Sequence, residues 1–205
     1  MFRTSLRRSV PSICLLAALL GAAPAHAAQT RAFALCSDFS TGSLSAAGLD
    51  TRAVSVDVAS IHSDAVARWH GGRLYVVNRF LADNVQVIDP SDWGTELQFS
   101  VGNGSNPQDI AFASSTKAYV SCYGSSSVLV VNPQTGATIG SPISLAPLAD
   151  GDGIPEMGRM IRVERWLLVA CQRLTNFAAS NPSVIAVIDT EADTLVDVVV
   201  GVPGV

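Results

Sequence analysis

Three groups of residues in this chain have types and spacings suited to chemistry. Asp150-Gly151-Asp152-Gly153-Ile154-Pro155-Glu156 places carboxylates at i, i+2 and i+6 of a glycine-rich segment. Oxygen ligands so spaced can wrap a hard cation such as calcium, but the full D-x-[DN]-x-[DN]-G-x5-E loop is absent. The segment therefore reads as a glycine-rich link, with no metal and no cofactor assigned. Cys36, Cys122 and Cys171 each close an apolar run. Their odd number leaves at least one unpaired, and all three read as small buried hydrophobes rather than disulfide partners or metal ligands. The third group is Arg79, Asp109, Tyr123, Glu156, Arg173 and Phe177, polar and aromatic residues on connecting segments. They are the candidates for ligand binding, with His62, Asp83, Gln108 and Asn176 nearby in the chain.

Nucleophilic, metal-hydrolytic and haem-attachment patterns are missing. The chain has no G-x-S-x-G elbow, no H-E-x-x-H, no C-x-x-C, no C-x-x-C-H and no phosphate-cradling loop. No catalytic residue is assigned, and the reading leans away from an enzyme. His70, beside Gly71-Gly72, reads as a polar turn residue.

The elements that must position these groups repeat along the chain. Arg73 to Pro90, RLYVVNRFLADNVQVIDP, holds two apolar runs rich in Val, Tyr and Ile, closed by Asn78 and by Asp89-Pro90. Such runs bounded by turn residues predict a hairpin. The unit recurs at Ala118–Pro133, at Leu167–Thr190 with a longer bridge, and more weakly at Phe33–Thr51. Aligned on Phe33, Tyr75, Tyr119 and Leu168, the steps are 42, 44 and 49 residues. A period near this length carrying about four strands marks a β-propeller blade. Alternating runs such as Leu97, Phe99, Val101 and short runs such as Ala65-Val66-Ala67, Ile110-Ala111-Phe112 and Met160-Ile161 supply the outer and inner strands. Each unit thus reads as strands A, B, C and D. The blades are expected over approximately 28–60, 61–104, 105–152 and 153–205, the first lacking its own strand A.

In blades wound this way the B–C bridges and D–A links share one face, which gathers the third group of residues there. Loops on a rigid scaffold are where binding concentrates. The bridge Gln172 to Pro182, QRLTNFAASNP, exceeds its counterparts and carries Phe177 among polar residues. It reads either as a recognition lip or as a tolerated surface insertion.

Tyr75-Val76-Val77-Asn78 and Tyr119-Val120-Ser121-Cys122, each followed by a Val-x-Val-Ile-Asp-like strand, resemble the YVTN repeat of secreted bacterial β-propellers. The resemblance covers roughly residues 33–205. It departs where Cys36, Cys122 and Cys171 replace the closing Asn. It implies an all-β propeller of about seven blades; because the first blade lacks its own strand A, this chain reads as an N-terminal part with nearly four blades, the alternative being a four-bladed ring with a defective seam. It implies diverse roles, among them surface-layer and cell-wall proteins, lactonases and the haem-bearing propeller of a nitrite reductase. The alternative to a binding scaffold is therefore a lactonase- or quinoprotein-type enzyme with a metal or cofactor in the central channel.

Residues 1–27 read as a signal peptide. Arg3, Arg7 and Arg8 form a basic start, Ile13–Leu20 an apolar core and Ala25-His26-Ala27 a cleavage site. The expected destination is the periplasm or the cell surface. The chain's 13 Lys and Arg stand against 17 Asp and Glu; without the leader's three arginines the balance is 10 against 17, a net of −7. That excludes nucleic acid as a natural partner. No later apolar run is long enough for a transmembrane helix. The partner class left is a protein, or a small-molecule or glycan ligand, on the loop face.

Overall fold

The computed structural model describes residues 30–179 and 181–200; the expected leader, 1–27, lies outside them. The described residues form four antiparallel sheets in chain order. The first holds β1 (Arg31–Ser37), β2 (Gly42–Gly48) and β3 (Val54–Ile61); the second holds β4 (Ala65–His70), β5 (Arg73–Asn78), β6 (Asn84–Ile88) and β7 (Thr95–Ser100). The third holds β8 (Pro107–Phe112), β9 (Ala118–Cys122), β10 (Ser127–Val131) and β11 (Ile143–Ser144); the fourth holds β12 (Met157–Val163), β13 (Trp166–Cys171), β14 (Val184–Asp189) and β15 (Thr194–Val200). Within each sheet strands pair in sequence order, as a meander.

The recurring Asp or Asn at the end of the third strand of a unit has a physical reason. Asp89, Asn132 and Asp189 each accept, through Oδ1, the backbone N–H two residues on, from Ser91 at 2.8 Å, Gln134 at 2.9 Å and Glu191 at 2.9 Å. This side-chain turn reverses the chain into the outer strand.

The four aligned repeat residues share one orientation. Phe33, Tyr75 and Tyr119 each belong to the apolar cluster between their own sheet and the next. The adjacent residues Leu74, Ala118 and Leu167 point backwards into the cluster with the preceding sheet. Central strands packed on both faces explain why β5 and β9 are apolar almost throughout. Leu168 points forward like Tyr119, but no further sheet covers it among the described residues. Ile161, Val163, Trp166 and Val196 accordingly lie exposed on the same sheet. Cys122 and Cys171 are buried against preceding sheets, and burial pushes their thiols up to about 12 and about 11. Cys36, at the same repeat position in the first sheet, is exposed because no sheet precedes it among the described residues. All three are free thiols.

One blade is irregular, and one expectation is corrected. The outer strand of the third sheet is only two residues long, because Pro142 lacks a donor and Gly140 takes a φ of +60°, which breaks the ladder between Thr138 and Ile143. Asp109 is not in a link. It lies inside β8, which begins at Pro107 rather than Ile110, with a register shift between Pro107 and Asp109.

Candidate functional site

The bridges β1–β2, β5–β6, β9–β10 and β13–β14 fall on one face with the links leading to β4, β8 and β12. Much of the polar chemistry expected to bind there instead holds the links in shape. Asp83, 7 % exposed, accepts from the Gly104 and Asn106 amides at 2.7 and 2.8 Å and so ties the second bridge to the link that follows β7. Arg79 pairs with Asp64 and donates to Gln108 Oε1 at 2.9 Å. The His62 amide donates to Asn78 Oδ1 at 3.0 Å.

Asp109 is fully buried. Its Oδ2 accepts from Arg68 of β4 at 2.8 Å and from the Met160 amide of β12 at 2.9 Å, so one carboxylate clasps the innermost strands of three sheets. An ion with its partners this well satisfied is a strut, and it presents nothing to a ligand.

Tyr123, Glu156, Arg173 and Phe177 are brought together around the third link and the long fourth bridge. Thr175 and Ala178 exchange both backbone hydrogen bonds at 3.0 Å, making a two-residue turn of Asn176 and Phe177. Both take positive φ, 51° and 62°, as a type I′ turn requires. Asn tolerates that conformation; Phe takes it at a cost, and the usual occupant of its place is Gly. The turn holds Phe177 at its tip, 85 % exposed, with its ring stacked 6.4 Å from that of half-buried Tyr123 at 11°. The bridge is pinned from below. Asp150 Oδ2 accepts from Asn181 Nδ2 at 2.8 Å and Thr175 Oγ1 at 3.2 Å, and Arg173 donates to Pro182 O at 3.2 Å. Arg173 Nε is buried without a hydrogen-bond partner.

Glu156 is 1 % exposed and accepts the Leu174 amide at 2.9 Å. Burial pushes its carboxyl above the ordinary range; the Leu174 amide opposes this, and the charges of Asp152 and Asp150 add to it. The three carboxylates offer oxygens within 4.8 Å of one another, the one group of three metal-ligating residues among the described residues. Oxygen donors of this kind suit calcium or magnesium in preference to softer metals.

A carboxyl whose folded pKa is raised binds its proton more tightly in the folded state, so its favourable contribution is present below the unfolded pKa and is lost as pH rises through the folded value. Glu156→Gln keeps an acceptor for Leu174 but cannot ionise. The variant is expected to melt with the wild type near about pH 4 and above it near about pH 8. Melting curves of both proteins across that range check this; identical pH slopes would show that Glu156 titrates without penalty.

No family model matches the chain, and no curated protein matches its sequence. Solved structures do. Hydrazine synthase of Kuenenia stuttgartiensis superposes with a TM-score of 0.58 at 19% identity, over 79% of this chain and 46% of that one. The β-propeller domain of Cps50 (Swd1) from Myceliophteria thermophila gives 0.60 at 11%, over 84% and 52%. Dihydro-heme d1 dehydrogenase NirN, in complex with DHE, gives 0.52 at 16%, over 82% and 37%. The chain is a partial β-propeller. It spans about half or less of the length of the chains it matches, and at these identities the likeness concerns the fold. The sheets are its blades, and the bridge face is one end of the arc they form.

Sequence reasoning placed Tyr123, Glu156, Arg173 and Phe177 on a common face, and they meet there. It missed Asp150, Thr175 and Asn181 as the residues that pin the bridge. The Asp150 signal was visible as part of the acidic segment; its partners, 25 and 31 residues on, were not.

Proposed function

We propose that this protein is an exported β-propeller that serves as a binding scaffold at the cell envelope, taking its ligand on the bridge face against Tyr123 and Phe177. The carrying observation is Phe177: a bulky aromatic residue in a left-handed turn position, almost fully exposed, on a bridge held by Asp150, Thr175 and Asn181. A backbone conformation that costs an L-residue about 1–2 kcal/mol is retained where function needs the side chain. The leader and the acidic balance of the remaining chain support export and argue against nucleic acid. Among the described residues, no helix is long and apolar enough to cross a membrane.

Phe177→Gly separates the functional role from the structural one. Glycine removes the strain, so the variant is expected to melt no lower than the wild type while losing the contact. A photoreactive phenylalanine analogue at position 177 should cross-link a defined envelope component in the protein's own cells, and the same group at Ser91, on the opposite face, should not. Adducts of equal yield at both positions, or none at 177, would overturn the reading.

The second reading is a propeller enzyme of lactonase or quinoprotein type, which the Asp150, Asp152 and Glu156 trio favours by offering three oxygen ligands beside the same face. Calcium titration distinguishes the two. A rise in melting temperature that EDTA reverses and Asp152→Asn abolishes would favour the enzyme; no shift favours the scaffold.

A further inference from the structure

The opposite end of the arc is built from the A–B and C–D turns. Three blade interfaces can be compared there, because the forward residue of each blade lies beneath the C–D turn of the next. The residue four places after the turn's Asp or Asn is Trp93 in the second blade, Gly136 in the third and Asp193 in the fourth. Trp93 sets its ring edge against Phe33, with centroids 6.2 Å apart. Asp193 Oδ1 accepts the Tyr119 hydroxyl at 2.6 Å, and Thr190 O accepts it at 3.1 Å. Gly136 has no side chain to offer. Trp93 and Asp193 share its left-handed backbone, with φ of 65° and 54°, but a Cβ at Gly136 would meet Phe99 at 2.5 Å, so the turn's close approach to the second blade's outer strand leaves room only for glycine. The middle interface is therefore left open by the backbone path of the turn.

The opening is a cleft of about 360 Å³, large enough for a small ligand. Tyr75 stands at its base, 5 % exposed, and its hydroxyl makes no hydrogen bond among the described residues, where its counterpart Tyr119 makes two. Arg73 forms one wall, its guanidinium held by Glu96 and by Asp89 at 3.2 Å. His70 is stacked on Phe112 at 4.0 Å and 2°, and burial lowers its pKa against the opposing effect of the Ser114 backbone. Val87 and Leu97 supply apolar surface.

One guanidinium between two carboxylates leaves no net positive charge for an anion and no bare carboxylate for a cation. Neutral hydroxyl groups suit it, because each can accept from Tyr75 and donate to Glu96 while adjacent C–H groups rest on Leu97 and Val87. We propose that the cleft between the second and third blades, lined by His70, Arg73, Tyr75, Glu96 and Leu97, binds a small neutral polyol of about hexose size. It is separate from the bridge-face site and does not depend on that reading.

Saturation-transfer NMR with glucose, galactose and mannitol, each titrated into the full chain, tests this, with acetate as the anionic comparator. At least one polyol is expected to bind with a Kd of about millimolar order. Tyr75→Phe keeps the ring and is expected to weaken binding about tenfold. Leu97→Trp, which fills the cleft from its wall, should abolish binding, and Val56→Thr, at an exposed position of the first blade away from both sites, should leave it unchanged. Circular dichroism confirms that each variant folds, and Leu97→Trp decides the matter if Tyr75→Phe does not. No transfer from any of the three polyols, equal binding by the folded Tyr75→Phe or Leu97→Trp protein, or stronger binding of acetate would each overturn the proposal.

Discussion

Asp109→Ala is expected to destabilise the protein by about 3 kcal/mol, lowering the melting temperature by roughly 6–12 °C. The carboxylate is fully buried and holds Arg68, 41 % exposed, on one side and the Met160 amide on the other. Removing it leaves the amide unsatisfied in the interior, which alone costs about 1–3 kcal/mol. Arg68 loses its partner too, but its exposure lets water take part of the charge, which keeps the total near the lower end of the range for broken buried pairs. Arg68→Ala strands the buried carboxylate and should cost a similar amount, and the double variant should cost less than the sum of the singles. Denaturant midpoints at constant m read all three. A loss below about 1 kcal/mol for Asp109→Ala would mean that the three inner strands hold together without the clasp.

Tyr119→Ala should cost about 4 kcal/mol, and Leu168→Ala, at the same position of the next repeat, about 1–2 kcal/mol. Tyr119 is fully buried between the third and fourth blades, and its one hydroxyl proton goes to Asp193 Oδ1 at 2.6 Å, with Thr190 O a second, longer acceptor at 3.1 Å. Its removal opens a large cavity and takes away a donor, while Lys117 Nζ still holds Asp193 at 2.7 Å and Thr190 O at 2.9 Å, so the cavity dominates the cost. Leu168 is half-buried and faces forward with no blade covering it among the described residues, so truncation gives up part of its burial and leaves no enclosed cavity. Urea unfolding of the two variants side by side is the check. Equal costs would mean that a further sheet covers Leu168 in solution, as the exposed Ile161, Val163 and Trp166 beside it would then require.

The strands were legible in the residues because β-sheet patterning is local. Val, Tyr and Ile runs ending in Asn78, Cys122 and Cys171 become β5, β9 and β13, and the Asp89, Asn132 and Asp189 turns bond to backbone only two residues away. The short outer strand of the third blade was less legible, since one proline and a left-handed glycine undo a pattern that hydrophobicity alone would continue. Asp109 misled for a related reason. A charged residue beside Pro107 and Gln108 reads as a loop, and only the arrival of Arg68 and the Met160 amide from neighbouring blades makes its burial affordable.

The amino-acid sequence by itself determined the architecture: a chain of similar units, each with a hydrophobic hairpin and a side-chain-closed turn, can bury its apolar faces only by stacking one unit on the next. It determined which residues face the same end of the arc, because two connections of every blade must fall there. Tertiary structure alone decided what those residues do. The roles of Asp83 and Asp109 as struts, the pinning of the long bridge by Asp150, and the cleft above Tyr75 all depend on partners from 20 to more than 50 residues away in the chain. Such contacts are set by how one blade lies over the next, which the pattern within a single repeat does not encode.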